Sequence, residues 1–174
     1  NVLVEKNHAA FNGGGIFNDS GDVTITGAAF KANTSDRSGG ALSTFDADVL
    51  IESSTFHGNT ARREGGGVSS DSSFSSVIAS LLIESSTFSE NAATFGGGLE
   101  SVFTDTTITN STFSSNSALR DGGGIWNFGP LQIDHSTLTL NHADVNGDDS
   151  LPEGGGLFSG TGFQSAALLS NTIV

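Results

Sequence analysis

The chain has 174 residues, with 19 Asp and Glu against six Lys and Arg, giving a formal net charge of −13. That balance excludes a nucleic-acid backbone as partner, because phosphate binding needs clustered Lys and Arg. Absence of cysteine excludes a disulfide framework, a thiolate nucleophile and a Cys-ligated metal. With 35% hydrophobic and only 14% charged residues, the composition is that of a folded chain rather than a disordered one.

In chain order, the same series of short elements keeps returning. Val2 and Val4 alternate ahead of Asn7 and Ala9, and Gly13-Gly14-Gly15 then leads into Ile16. Ile25, Ala28, Phe30, Asn33 and Ser35 follow, then Ser38-Gly39-Gly40 and Ala41. A third pass runs Ile51, Ser54, Phe56, Asn59 and Ala61 into Gly65-Gly66-Gly67-Val68. The fourth, after an insertion at Asp71–Ser80, runs Ile83, Ser86, Phe88, Asn91 and Ala93 into Gly96-Gly97-Gly98-Leu99. The fifth is Ile108, Ser111, Phe113, Asn116 and Ala118, then Gly122-Gly123-Gly124-Ile125. The sixth is Ile133, Ser136, Leu138 and Asn141, then a second insertion, His142–Glu153, and Gly154-Gly155-Gly156-Leu157. In the same frame a seventh Asn, Asn171, places Phe163 and Leu168 in the Ile and Phe columns.

Each pass reads as three short segments: G-G-G-φ-x-N/S, φ-x-I-x and S-T-F-x-x-N-x-A. Within each, apolar residues recur at period two, the signature of strands, and none holds a helical period. A repeat of roughly 26 residues made of strands is one rung of a solenoid. The expected fold is all-β: a parallel β-helix of about six coils of three short strands, one domain over residues 1–174. Stacked Phe and Ile fill its interior, an Asn ladder satisfies buried amides at a corner, and the glycines allow tight turns. No apolar stretch is long enough to cross a bilayer as a helix. Core-type residues at both ends, without polar caps, predict a piece of a longer protein whose ends further coils or another subunit cover.

The Phe30-x-x-Asn33, Phe56-x-x-Asn59, Phe88-x-x-Asn91 and Phe113-x-x-Asn116 motifs, with Gly39-Gly40-Ala41-Leu42, resemble the F-x-x-N and G-G-A-I/L/V repeats of polymorphic outer-membrane proteins and related bacterial surface proteins. The resemblance spans essentially the whole chain. It implies a right-handed β-helix, secreted or exposed at the cell surface in association with the outer membrane. The implied role is a structural or adhesive module that binds a glycan or a protein surface.

Insertions and outward columns carry the candidate sites. Asp144, Asn146, Asp148 and Asp149 form an acidic D-x-N-x-D-D run suited to Ca²⁺, which takes oxygen ligands from one loop. Arg37, Arg62 and Arg120, with Arg63, lie between the Asn and the glycines; across coils they would make a groove for an anionic glycan or pair with Asp36, Glu64 and Asp121 at the surface. Trp126, Phe128 and Phe158 are expected to project outward on neighbouring coils, where exposed aromatics bind sugar rings or a protein. The alternative is a polysaccharide lyase or glycoside hydrolase, for which Glu52 and Glu84 share an outward column with Asp134 two coils on. Neighbouring columns supply no basic partner, and the four histidines assemble neither a metal cluster nor a triad. An ice-binding face is a third reading; it has one Thr column, Thr55, Thr87, Thr112 and Thr137, beside a mixed one.

Overall fold

A computed structural model describes residues 2–73, 79–143, 153–160 and 166–174. Among them every element is a β-strand, all strand pairs are parallel, and the strands form four sheets. The chain is a parallel β-helix, as the periodicity predicts. No helix among the described residues is long and apolar enough to cross a membrane.

Four sheets rather than three result from a bend inside the S-T-F-x-x-N-x-A segment. Its first half forms sheet A, for example Thr55–His57 and Thr87–Ser89. Its second half forms the two-residue strands of sheet B, such as Thr60–Ala61 and Ala92–Ala93. Between them Gly58, Glu90 and Ser115 have φ near +60°, which turns the strand through a corner. The glycine blocks lead into sheet C, with strands Ile16–Asp19, Leu42–Phe45, Val68–Asp71, Leu99–Val102, Ile125–Phe128 and Leu157–Ser159. The φ-x-I-x segments form sheet D, including Val49–Glu52, Ser80–Glu84 and Pro130–Asp134.

Strand register puts like residues on like. Phe30, Phe56, Phe88 and Phe113 stack with ring centroids 4.5–4.7 Å apart and planes within 4° of parallel. Each is essentially inaccessible to solvent, as are Ile51, Ile83, Ile108 and Ile133 of sheet D. The coil repeat of about 4.8 Å sets this ring spacing, so one large aromatic per coil fills the column without gaps. Burying such a ring stabilises by about 1.5–3 kcal/mol.

The expected Asn ladder runs from Asn7 through Asn33, Asn59, Asn91 and Asn116 to Asn141, each Nδ2 donating to the next Oδ1 at 2.9–3.0 Å. The second Nδ2 hydrogen of Asn59 goes to the Phe30 carbonyl and that of Asn91 to the Phe56 carbonyl. Each Oδ1 also accepts the backbone N–H of the preceding Asn, as Asn91 does from Asn59. The four inner amides, of Asn33, Asn59, Asn91 and Asn116, are buried and hydrogen-bonded, which offsets the cost of placing them inside. A parallel serine ladder closes the D-to-A corner: the Ser54 N–H donates to Ser86 Oγ, Ser86 N–H to Ser111 Oγ and Ser111 N–H to Ser136 Oγ.

The glycine block divides its labour. Only the first glycine has positive φ, near +65° at Gly65, Gly96 and Gly122. The second is glycine because of close approach: a Cβ on Gly97 would run into the carbonyls of Gly123 and Ser117 in the next coil.

One expected position is corrected. Asn171 is not the seventh rung of the Asn ladder. The Ala166–Ser170 strand pairs with Pro130–Asp134 so that Leu169 faces Ile133 and Ser170 faces Asp134. Asn171 therefore occupies the His135 corner, both with φ near +48°, and bonds Asp134 Oδ1 at 3.1 Å. Ile173 then bridges Thr137, and the Leu138 N–H donates to its carbonyl. Matching one Asn to a column shifted the frame, whereas strand pairing follows the alternation of Ala167 and Leu169.

Candidate functional site

Sheet C is where the coils stop resembling one another. Its first position, Ile16 to Leu157, points inward, so the second and fourth positions face outward. Register fixes the second-position column as Phe17, Ser43, Ser69, Glu100, Trp126 and Phe158. The fourth-position column is Asp19, Phe45, Asp71, Val102 and Phe128. Large residues at Phe17 and Trp126 bracket small ones at Ser43 and Ser69. The result is a cleft of about 520 Å³ running along the helix axis. Phe17 and Trp126 are four coils apart, a span of roughly 19 Å.

At its base lies Glu100, 1% exposed. Burial pushes its carboxyl well above the usual range, and the neighbouring Asp71 charge pushes it further. Asp71, on the preceding coil and one column over, is also raised, first by burial; the carboxyl of Glu100 lies in hydrogen-bond contact with it. The Ser69 hydroxyl faces the same Glu100 carboxyl. Glu100 Oε2 has no conventional donor, and two other cleft-wall atoms, Trp126 Nε1 and Asn12 Oδ1, are also buried without a partner. Two carboxyl groups this close share a proton more easily than they ionise together.

The corner side of the cleft is better satisfied. Glu64 accepts from Ser38 Oγ at 2.7 Å and pairs with Arg63 at 3.3 Å. Arg37 reaches the cleft wall with its guanidinium 5.0 Å from the Phe11 ring centre.

The expected aromatic group is assembled by the register. Trp126 meets Phe128 edge-on at 4.7 Å, Phe158 lies 6.5 Å from Trp126 and 5.6 Å from Phe128, and all three are half-buried. Phe95 joins them 5.1 Å from Trp126, with Arg120 over its outer side at 5.9 Å. Phe17 stands apart, half exposed at the far end of the cleft. Trp126 thus belongs both to the aromatic cluster and to the cleft wall.

The arginines are not brought into one groove. Arg37 borders the sheet C cleft, Arg120 packs on Phe95, and Arg62 lies beside Ala61, Ala93 and Leu119 on sheet B. Glu52 and Glu84 sit side by side on sheet D, as the spacing predicts, with Asp134 two coils on. Thr55, Thr87, Thr112 and Thr137 form one column on sheet A. Asp144, Asn146, Asp148 and Asp149 lie outside the described residues. Among the described residues no three His, Asp or Glu side chains converge to hold a metal.

Glu100 and Asp71 escaped the sequence reading. Asp71 was expected to open an insertion, whereas it ends the Val68–Asp71 strand. Glu100 follows a glycine block like any other second-position residue. The signal that finds it is the column itself: Phe, Ser, Ser, Glu, Trp, Phe has no common size or polarity, unlike the inward columns.

Residues 110–127 match the Chlamydia polymorphic membrane protein repeat. The matched stretch holds Phe113, Asn116 and the Gly122–Gly124 block, and so one Phe rung, one Asn rung and one glycine turn. No curated protein and no solved structure matches the chain. The repeat match, over 18 of the 174 residues, and the parallel register fit a polymorphic outer-membrane protein-like β-helix and, in general terms, a bacterial surface location.

Proposed function

We propose that this β-helix is a surface-displayed adhesive module that binds a glycan along the outer face of sheet C. The observation that carries the reading is the continuity of the aromatic group around Trp126 with the polar cleft between Phe17 and Trp126. Aromatic faces stack on sugar rings, and the acids and hydroxyls between them accept sugar hydroxyl hydrogen bonds. The rigid coil stack holds these groups at fixed spacing, so little ordering cost is left for binding.

The same geometry favours binding over hydrolysis at this site. Glycosidase carboxyls stand about 5–5.5 Å apart in retaining enzymes and roughly 6.5–9.5 Å apart in inverting ones. Asp71 and Glu100 are in hydrogen-bond contact.

A glycan array probed with the protein tests the reading. Binding to a defined set of oligosaccharides is expected, with about tenfold weaker binding by Trp126→Ala, the loss of one stacking surface. An array on which the protein retains nothing, or a Trp126→Ala variant that folds and binds undiminished, overturns it.

A further inference from the structure

Four carboxyl groups line the sheet C cleft, those of Asp19, Glu64, Asp71 and Glu100, against the single guanidinium of Arg37. Glu64 has its cation in Arg63. Arg37, its guanidinium 5.0 Å from the Phe11 ring centre, acts on Asp71 through its charge and partly offsets the effect of burial there, without forming an ion pair. Among the described residues neither Asp71 nor Glu100 makes an ion pair. A buried carboxyl pair that forms no ion pair is costly to ionise, and here Glu100, in contact with Asp71 and Ser69, has its Oε2 buried without a conventional donor at the base of an open cleft. Among the described residues no three His, Asp or Glu side chains converge to hold a metal ion here. Such a pair suits a compact cation that brings its own hydrogen-bond donors.

We propose that the cleft takes the free amino group of an amino sugar, held against the touching Asp71 and Glu100 carboxyl groups, with its ring against Trp126. An ammonium has three donors and no acceptor. Around the pair stand three acceptors: the two carboxylates and the Ser69 hydroxyl. Trp126 adds the face or edge of an indole beside the same point, where cation–π attraction and ring stacking act together. Entry of the ammonium lets the carboxyl groups ionise, so binding releases protons to solvent. This inference rests on the glycan reading and narrows it to a glycan with unacetylated amines.

The experiment is calorimetric titration of the whole chain with three oligosaccharides of equal length: glucosamine, N-acetylglucosamine and glucose. The glucosamine oligomer is expected to bind at least tenfold more tightly than the other two, with proton release visible as a dependence of the heat on buffer ionisation enthalpy. Glu100→Gln and, separately, Asp71→Asn reduce its affinity to that of the N-acetylated oligomer and abolish the proton release. The control for general attraction of a cation to a chain of charge −13 is Glu52→Gln on sheet D, which leaves the preference intact. Equal affinity for the acetylated and free-amine oligomers overturns the amine assignment and leaves glycan binding standing. Loss of preference in Glu52→Gln as great as in Glu100→Gln also overturns it. Failure of all three oligosaccharides, alongside an empty glycan array, overturns both readings.

Discussion

At the junction of sheets A and B the coils are nearly interchangeable. Phe stacks on Phe, Asn bonds Asn, and the backbone beside each rung repeats the one before. On the outer face of sheet C successive coils present Phe, two Ser, Glu, Trp and Phe in one column. The two regions share one repeat, but the first is inward packing at the A/B corner and the second the outward side of sheet C. Uniformity inside is required because each rung is the next rung's packing partner. Variation outside is allowed because solvent replaces the neighbour, and the repeat does not require the buried Glu100 that stands there.

The largest effect is expected where the repeat is strictest. Phe88→Ala removes the third ring of the stack, between Phe56 and Phe113. It leaves a cavity in the middle of the column, with an expected loss of about 3–5 kcal/mol. Chemical denaturation measures it. If the C-face cleft is independent of the A/B junction, the folded fraction still binds glycan with wild-type affinity.

Next comes the glycine turn. Gly97→Ala places a methyl against the backbone carbonyls of Gly123 and Ser117, neither of which can rotate away. Overpacking of this kind costs about 1–3 kcal/mol, and its site at a coil-to-coil contact puts it at the upper end. The contrasting substitution is at Gly58, where a Cβ meets nothing and only the positive φ is strained. Gly58→Asn is expected to cost a fraction of that, since Asn tolerates the left-handed region. Equal melting points for Gly97→Ala and Gly58→Asn would show that close approach is not what selects the middle glycine.

These two regions also differ in how far the sequence discloses them. The A/B junction was legible because its residues repeat in one frame: Phe30, Phe56, Phe88 and Phe113 sit three before their Asn every time. Even the corner between sheets was implicit, although the bend at Gly58, Glu90 and Ser115 has no common residue type and the fourth strand went unread. The last coil misled because Asn171 satisfies the Asn motif while its strand pairs by Leu169. Trp126, Phe128 and Phe158 were legible as outward aromatics, and Phe95 was not, since it lies at an isolated bridge to Glu64, outside the strand alternation. The Asp71–Glu100 contact is diagonal between columns and coils, so no single column shows it.

Glu100→Gln tests the outer face by pH. The folded carboxyl is held above its unfolded value, so the native state binds more protons than the unfolded chain. Stability is then fully present below the ordinary glutamate range and falls as pH rises through the folded value. Gln carries no proton to lose, so the variant flattens this fall. Near pH 4 the two proteins are expected to melt alike. At pH 8 the variant is expected to be more stable by about 1–3 kcal/mol, the scale of the penalty on a buried unsatisfied group. A wild-type melting temperature that rises over this range relative to Glu100→Gln would mean that Glu100 is already paired.

The smallest expected effect has the opposite sign and lies on sheet D. Asp134 accepts from Ser170 Oγ at 2.7 Å and Asn171 Nδ2 at 3.1 Å, and its other oxygen meets His135 Nδ1 at 2.8 Å. Hydrogen bonds from Ser170, then Asn171, hold its carboxyl down to about 2. Its contribution is therefore present above the ordinary aspartate value of 3.8 and is lost as pH falls toward 2. Asp134→Asn removes that contribution at neutral pH and leaves nothing further to lose in acid. Because the carboxylate is exposed to solvent, its bonds are screened and the change in melting temperature is expected to be slight. The informative quantity is the difference between wild type and variant, measured at pH 6 and again at pH 2. A gap that closes in acid identifies Asp134 as the clasp holding the Ala166–Ser170 strand to Pro130–Asp134. A gap that stays constant would assign the pairing of this strand to backbone and apolar contacts alone.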